Sequence, residues 1–379
     1  MHIGFLTPEY PHTNLSSSGG LGTSIKNLAV RLASSGVRVT IFCVYQNHNE
    51  VYQEDLVKII SIKHKKYKFL GWYKERKRIQ KFIQKEINNH AIDIIEAPDW
   101  TGISAFMKFT IPILIRLNGS DAYFCKLDNR KQKFKNFVFE KLALKSAVKI
   151  VSASTFTADI TKKIFSLNTN IKTIHNGIDI NQFVPNQIEI NNGQLLYFGT
   201  IIRKKGVLEL AEAFNLIKER NARASLLLVG KDVIDIFEKK STIQLFYDLL
   251  KPEVRKSVTH LNEVPYISIK EIISKSNVVV LPSFAEAFPM TWLETLAMEK
   301  ALVSSNIGWA NELMIDNETG FTVNPKNHEE FATKTLKLLD SKKLCETFGK
   351  AGRLRVIKKF SAEKTTNQNI EFYKSLINK

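Results

Sequence analysis

Short apolar runs of β type alternate with stretches whose apolar residues recur at helical spacing. HIGFLTP (2–8) reads as a strand, and IKNLAVRLASSG (25–36) as an amphipathic helix ending on Gly36. VRVTIFCVY (37–45), AIDIIEAPDW (91–100), IPILIRLNGS (111–120), VKIVSAS (148–154) and IKTIHNG (171–177) read as further strands. Near-continuous Val/Ile/Leu runs of this length suit strands buried on both faces. Alternation with helices predicts a parallel sheet with helices on both sides. At 181–194, NQFVPNQIEINNGQ is polar, with a Pro, a Gly and four Asn, and reads as a linker. The rhythm then restarts: strand QLLYFGT (194–200), helix VLELAEAFNLIKER (207–220), then strands in SLLLVGK (225–231), SVTHLNEV (257–264), NVVVLPS (277–283), ALVSSN (301–306) and GFTVNP (320–325). The tail after Phe360 reads as a terminal helix.

The expectation is therefore an α/β protein of two doubly wound domains. Its length of 379 residues agrees, being too great for one ordinary core. Ligands of open α/β sheets bind beyond the carboxyl ends of the strands, so the residues just after each strand, and a cleft between two such sheets, are the places to inspect.

Charge adds to this picture. The net charge is +18, and most of it lies in the first half. Residues 58–85 carry eleven Lys/Arg against one Glu, and a second basic cluster spans 126–149. Aromatic and aliphatic residues interleave with both, which suits an anionic membrane surface; a solvated Lys-rich surface explains the composition equally well. Nucleic acid is disfavoured because no nucleic-acid motif accompanies the charge. No apolar run approaches the ~18 residues that span a bilayer, and MHIGFLTPEY does not read as a signal peptide. Cys43, Cys125 and Cys345 fit no disulfide or metal spacing and read as buried thiols. A cytoplasmic protein is expected, docking at the inner face of the plasma membrane where the basic half meets it.

Three loops carry candidate chemistry. GGLG (19–22) precedes a helix, and bare glycines before a helix N-terminus can hold a phosphate or can simply be a flexible turn. The spacing is not GxGxxG, which disfavours nicotinamide or flavin binding. In FGTIIRKKGV (198–207), Arg203, Lys204 and Lys205 lie at a strand–helix turn, either as phosphate ligands or as an exposed basic loop. LPSFAEAFPMTWLETLA (281–297) sets Glu286 in a loop and Glu294 in the second turn of a helix MTWLETLAMEK, with Pro289 in its first turn. Backbone N–H groups of 287–291 form an anion site between the two acids. Such acids serve as acceptors for sugar and ribose hydroxyls around a diphosphate. Phe284, Phe288, Trp292 and Leu293 make the segment a buried one, where two unpaired surface-type carboxylates would be costly.

Glu286 and Glu294 after LPS, followed by ALVSSNIGWANELMIDNETGFTVNP, resemble the signature half of the retaining glycosyltransferases of family 4. GGLG, HNGID (175–179), the KKG loop and the NETGF loop fall in the family's order, and the resemblance covers nearly the whole chain. It implies the GT-B fold: two Rossmann-like doubly wound domains facing a central cleft. The expected bounds are 1–183 for an acceptor-binding domain, 184–358 for a nucleotide-sugar domain and 359–379 for a terminal helix packing back on the first.

The resemblance also implies roles. Lys205 and Arg203 would neutralise the diphosphate. Glu286 would contact the sugar near Ala287, Phe288, Met290 and Thr291, and Glu294 would hold the ribose. Gly20, Leu21 and Gly22 would close over the phosphates, and Asn262 to Pro265, Val264 included, would read the base. The acceptor would lie near Glu9, Asp99, Ser120 and Asp121. Glu286, Lys205 and Asn118 are the expected catalytic positions. Two positions depart from the family. Thr200 stands where Arg often follows the donor-loop glycine, and Asn118 stands where His is common; Asn cannot carry a proton.

The implied activity is retaining transfer from a UDP- or GDP-sugar to a glycan or lipid-linked acceptor in bacterial surface polysaccharide, lipopolysaccharide or capsule synthesis. No cofactor and no metal are expected, since no D-x-D motif is present. A GT-B nucleotide-sugar epimerase would need no acceptor, which the basic first half argues against. A non-catalytic relative that binds glycan or nucleotide-sugar is left open by Thr200 and Asn118.

Overall fold

The computed structural model describes residues 1–186 and 188–377. Two compact units are formed, one by Met1–Gly177 with Ala362–Lys379 and one by Ile178–Ser361.

In the first unit the strands are β1 (His2–Thr7), β2 (Arg38–Gln46), β3 (Glu50–Glu54), β4 (Val57–Lys63), β5 (Ile94–Pro98), β6 (Ile113–Leu117), β7 (Lys149–Ser152) and β8 (Lys172–Thr173). They form one sheet in the order β3-β4-β2-β1-β5-β6-β7-β8. Every pairing is parallel except β3 with β4. The β3–β4 pair was not anticipated: β3 (EVYQE) is largely polar and exposed, and the buried apolar run of β4 (VKIISIK) is flanked by Lys58 and Lys63. The second unit holds β9 (Gln194–Phe198), β10 (Ser225–Val229), β11 (Val258–Leu261), β12 (Val278–Leu281), β13 (Leu302–Ser305) and β14 (Phe321–Val323), all parallel, in the order β11-β10-β9-β12-β13-β14. Both sheets are doubly wound, so α/β with two Rossmann-like units is the observed fold.

In each sheet the strand order reverses at one place. The chain leaves β1 toward β2 and returns on the other side at β5; it leaves β9 toward β10 and returns at β12. At these switch points the loops diverge and leave a crevice at the carboxyl edge. The loops after β1 and β5, and after β9 and β12, are therefore where each unit can hold a ligand.

The units divide at 177/178 and 361/362, not at 183/184 and 358/359. Ile178 N–H donates to Phe360 O at 2.9 Å, and Arg353 donates to the carbonyls of Phe183 (2.7 Å) and Ile180 (3.3 Å). These bonds bind 178–183 to the second unit. The expected linker is equally integrated: Phe183 is buried, Asn191 N–H donates to Lys275 O, and Gly193 N–H donates to the Asn277 side chain. Gln187, within that stretch, lies outside the described residues.

The terminal helix Ala362–Ile377 packs in the first unit beside the helix Gly20–Ser34. It is fixed by buried polar groups. Arg116 of β6 forks onto Glu96 of β5 (Nε–Oε1 2.5 Å, Nη2–Oε2 3.1 Å) and donates to Asn369 Oδ1 at 2.6 Å. Tyr373 Oη donates to Glu96 Oε2 at 2.7 Å. Among the described residues, no helix is long and apolar enough to cross a membrane. Cys43 and Cys125 are buried and Cys345 is half-buried, all as free thiols.

Candidate active site

The second unit's switch point is built from two loops that lock together. The loop after β9 runs Gly199–Gly206 and contains a 3₁₀ turn, Arg203–Lys205. Gly206 has φ +70°, and a Cβ there would lie 1.8 Å from Pro282 O, so only glycine lets the loop lie against the end of β12. Lys204 O accepts from Phe284 N–H at 2.8 Å and Ala285 N–H at 3.3 Å, tying the SFAEAF loop to the basic loop.

This packing brings Lys205 and Glu286 together at 2.8 Å. Ser283 Oγ donates to the same Glu286 oxygen at 3.2 Å. Gly199, at φ +126°, lies beside them: a Cβ there would be 3.8 Å from Lys205 Nζ and 3.7 Å from the Thr291 methyl. A cation, a carboxylate, a bare glycine and the first turn of the helix Met290–Ala297 thus converge. Pro289 is the residue before that helix (φ −72°, ψ 121°) and not in its first turn, and the helix ends at Ala297 rather than 300.

Glu294 lies one turn deeper and only 3% exposed. Tyr266 Oη donates to its Oε1 at 2.7 Å. Burial pushes the Glu294 carboxyl up to about 7, against the Tyr266 bond and the Lys205 charge, which pull it down. Tyr266 opens the helix Tyr266–Lys275, directly after Asn262–Pro265, so the expected base-reading loop, Val264 included, is joined to the expected ribose carboxylate through one side chain.

Arg203 is placed differently from expectation. It forks onto the buried Asp235 (2.8 and 3.1 Å), with its guanidinium 5.4 Å from the Phe237 ring centre. Its charge is spent on the loop after β10, because Asp235 is desolvated and needs a partner. Thr200 O accepts from the buried Tyr197 hydroxyl at 2.9 Å, so its backbone is fixed.

In the first unit, GGLG is mostly helix: Gly20, Leu21 and Gly22 already lie in the first turn of Gly20–Ser34. Glu9 Oε1 accepts from Gly19 N–H (3.0 Å) and Gly22 N–H (2.8 Å). The carboxylate expected at the acceptor therefore occupies the helix N-terminus, where anions are favoured. Ser120 is the N-cap of the helix Asp121–Leu127, accepting from Tyr123 N–H, and Asp121 is held by Asn136, Arg130 and the Cys125 thiol. Both read as structural. Asp99, fully buried at the end of β5, accepts from Asn118 N–H at 3.0 Å, while its Oδ2 finds no hydrogen-bond donor among the described residues. Burial pushes it up to about 8. The neighbouring Glu140 accepts from the N–H groups of Thr101, Asp121 and Ala122, and burial pushes it up to about 7. Asp99 thus sets the turn that presents Asn118.

Sequence reasoning missed Tyr266, Ser283, Asp235 and Glu140. Ser283 lies within the quoted 281–297 stretch and Tyr266 directly follows Pro265, and their place at strand and helix ends was a usable signal. Asp235 and Glu140 act over long separations that no local pattern carries.

Two family models match: "Glycosyltransferase Family 4" over residues 18–182 and "Glycosyl transferases group 1" over residues 180–355. An uncharacterized glycosyltransferase of Methanocaldococcus jannaschii is 26% identical, over 91% of this chain and 92% of its own. The capsular polysaccharide biosynthesis glycosyltransferase CapM of Staphylococcus aureus is 28% identical, over 61% of this chain and 63% of its own. In fold, the chain is similar to sucrose-phosphate synthase from Thermosynechococcus elongatus (TM-score 0.82, 19% identity, 100% and 99% coverage). It is also similar to Anabaena HepE in complex with UDP and glucose (TM-score 0.76, 17% identity, 99% of each chain).

Proposed function

Because the chain belongs to the family 4 glycosyltransferases and has the GT-B fold, we propose that it transfers a sugar from a UDP- or GDP-sugar, with retention of configuration. The acceptor is a hydroxyl of a glycan or lipid-linked glycan in bacterial surface polysaccharide, lipopolysaccharide or capsule synthesis, reached at an anionic membrane face. A relative named for capsule synthesis and a fold neighbour holding UDP and glucose support this reading.

The observation that carries it is the convergence of Lys205, Glu286, Gly199 and the Met290–Ala297 helix start, with Glu294 behind them. A donor diphosphate would draw Lys205 away from Glu286, leaving Glu286 to accept from sugar hydroxyls. First-turn N–H groups of Met290 and Thr291 would face the phosphates, and Glu294 would accept from the ribose diol. Lys205 and these amides stabilise the charge that develops on the leaving nucleoside diphosphate. The acceptor hydroxyl attacks the anomeric carbon on the face the diphosphate leaves, and its proton passes to a departing phosphate oxygen. No covalent intermediate and no metal enter this reading.

The test is a thermal-shift screen against UDP-, GDP-, ADP- and dTDP-sugars, with and without magnesium, followed by transfer assays. One donor class should raise the melting temperature by mass action, whether or not magnesium is present. Lys205→Ala and Glu286→Gln should each lose about a hundredfold or more in transfer, the usual scale for removing one charge-stabilising group. Undiminished turnover in either purified variant would remove the site assignment.

A further inference from the structure

The first unit carries a surface that the site chemistry does not use. Phe69 is 77% exposed and Phe134 80% exposed, while Leu70 and Tyr73 are exposed beside Phe69. Leu70 has φ +49°, a left-handed conformation that branched residues rarely adopt. These residues stand at the starts of two helices, Gly71–His90 and Phe134–Ser146. The two starts are neighbours: the Trp72 ring lies 4.9 Å from that of Phe139, and Lys135 Nζ lies 5.9 Å from Trp72 and 5.6 Å from Phe139.

Charge around the apolar tips has one sign. Residues 64–74 and 131–135 contain seven lysines and no acid. Glu75, next in the chain, is buried and paired with Arg78, and Glu140 is buried among N–H donors. We infer that this face docks on an anionic lipid bilayer, with Phe69, Leu70 and Phe134 entering the headgroup–acyl boundary and the lysines pairing with lipid phosphates. Exposed rings ringed by lysine fit a bilayer better than nucleic acid. A duplex backbone offers phosphates but no apolar layer for a phenylalanine to enter.

The two helices are tied to the loop after β5. Arg76 of the first helix donates to Gly102 O at 3.2 Å, and Glu140 of the second accepts from Thr101 N–H at 3.1 Å. A bilayer on this face would present a lipid-linked acceptor beside the loop that begins at Asp99. The inference rests on the reading of a lipid-linked acceptor, but docking can be measured without one.

The experiment is co-flotation of the full chain with vesicles of phosphatidylcholine, and with vesicles of phosphatidylcholine and phosphatidylglycerol in equal parts, at low and high salt. Flotation is expected with the anionic vesicles only, weakening as salt rises. Phe69→Ser and Phe134→Ser should each weaken it about tenfold. Lys66→Glu and Lys133→Glu should each weaken it about fivefold or more. All four side chains are exposed, so folding should survive. Absence of flotation with both vesicles overturns the proposal. So does wild-type flotation by the Phe69→Ser/Phe134→Ser double variant. Binding to duplex DNA that matches vesicle binding and ignores both serines would mark a general polyanion surface and also overturn it. Nucleotide thermal shifts on the same preparations report the donor site separately: a protein that shifts but does not float loses only the docking surface.

Discussion

Tyr266→Phe tests the donor site with little disturbance to packing. The substitution keeps the ring, which lies 6.0 Å from Phe183, and removes the 2.7 Å hydrogen bond to Glu294. A hydrogen bond to a charged group contributes about 1.5–3 kcal/mol, and each pH unit in a pKa corresponds to about 1.4 kcal/mol. Losing the bond should therefore raise the Glu294 midpoint by about one to two pH units above its value of about 7. At pH 7.5 the wild-type carboxyl is mostly ionised and can accept two ribose hydroxyls; in the variant it is mostly protonated. Calorimetric titration with the nucleotide found in the donor screen should show affinity at pH 7.5 falling about three- to twenty-five-fold and recovering most of the loss near pH 9. The ligand-free protein reports the same group. The folded carboxyl keeps its proton up to about 7, while the unfolded one releases it near 4.5. The unfolded state then binds fewer protons across that window, and stability falls as pH rises through it. Tyr266→Phe should extend the decline upward, and Glu294→Gln should flatten it. An unchanged midpoint in Tyr266→Phe would refute the role given to the hydroxyl, and affinity that rises on acidification would refute the role given to the carboxylate.

Arg116→Met leaves the buried Glu96 side chain without its guanidinium, while the Tyr373 hydroxyl still donates to it. Breaking such a pair costs about 3–5 kcal/mol, or roughly 10 °C in a unit of this size. Urea or thermal melts should show the loss, and adding Glu96→Leu should recover most of it; a double variant no more stable than the single would contradict this account. Gly199→Ala sets a methyl near Lys205 Nζ at a strained φ of +126°, at a cost of about 1–3 kcal/mol. Nucleotide thermal shifts should shrink in that variant, and full retention would place the phosphates elsewhere.

Some residues declared their place from local pattern alone. IIEAP, ILIRL, SLLLV and VVVL are apolar enough to be recognised as strands buried on both faces, and each is a parallel strand here. Glu286 and Glu294 also declared themselves, because carboxylates inside an apolar segment need partners. The strand Val57–Lys63 did not: its short buried run lies between Lys58 and Lys63 in a lysine-rich stretch, and its pairing with β2 is a long-range event.

The sequence alone thus determined two doubly wound units and the loops that bear chemistry, since strand burial and loop glycines leave local signatures. Tertiary structure decided the state of each charge. Arg203, Glu9 and Asp121 looked available to ligands, but Asp235, the glycine N–H groups and Asn136 take them up. Tyr266 acquired a part in the site through a bond to Glu294. The reason is physical. A buried charge must be compensated by whatever the fold brings within hydrogen-bond reach, and that partner is chosen by three-dimensional proximity, not by spacing along the chain.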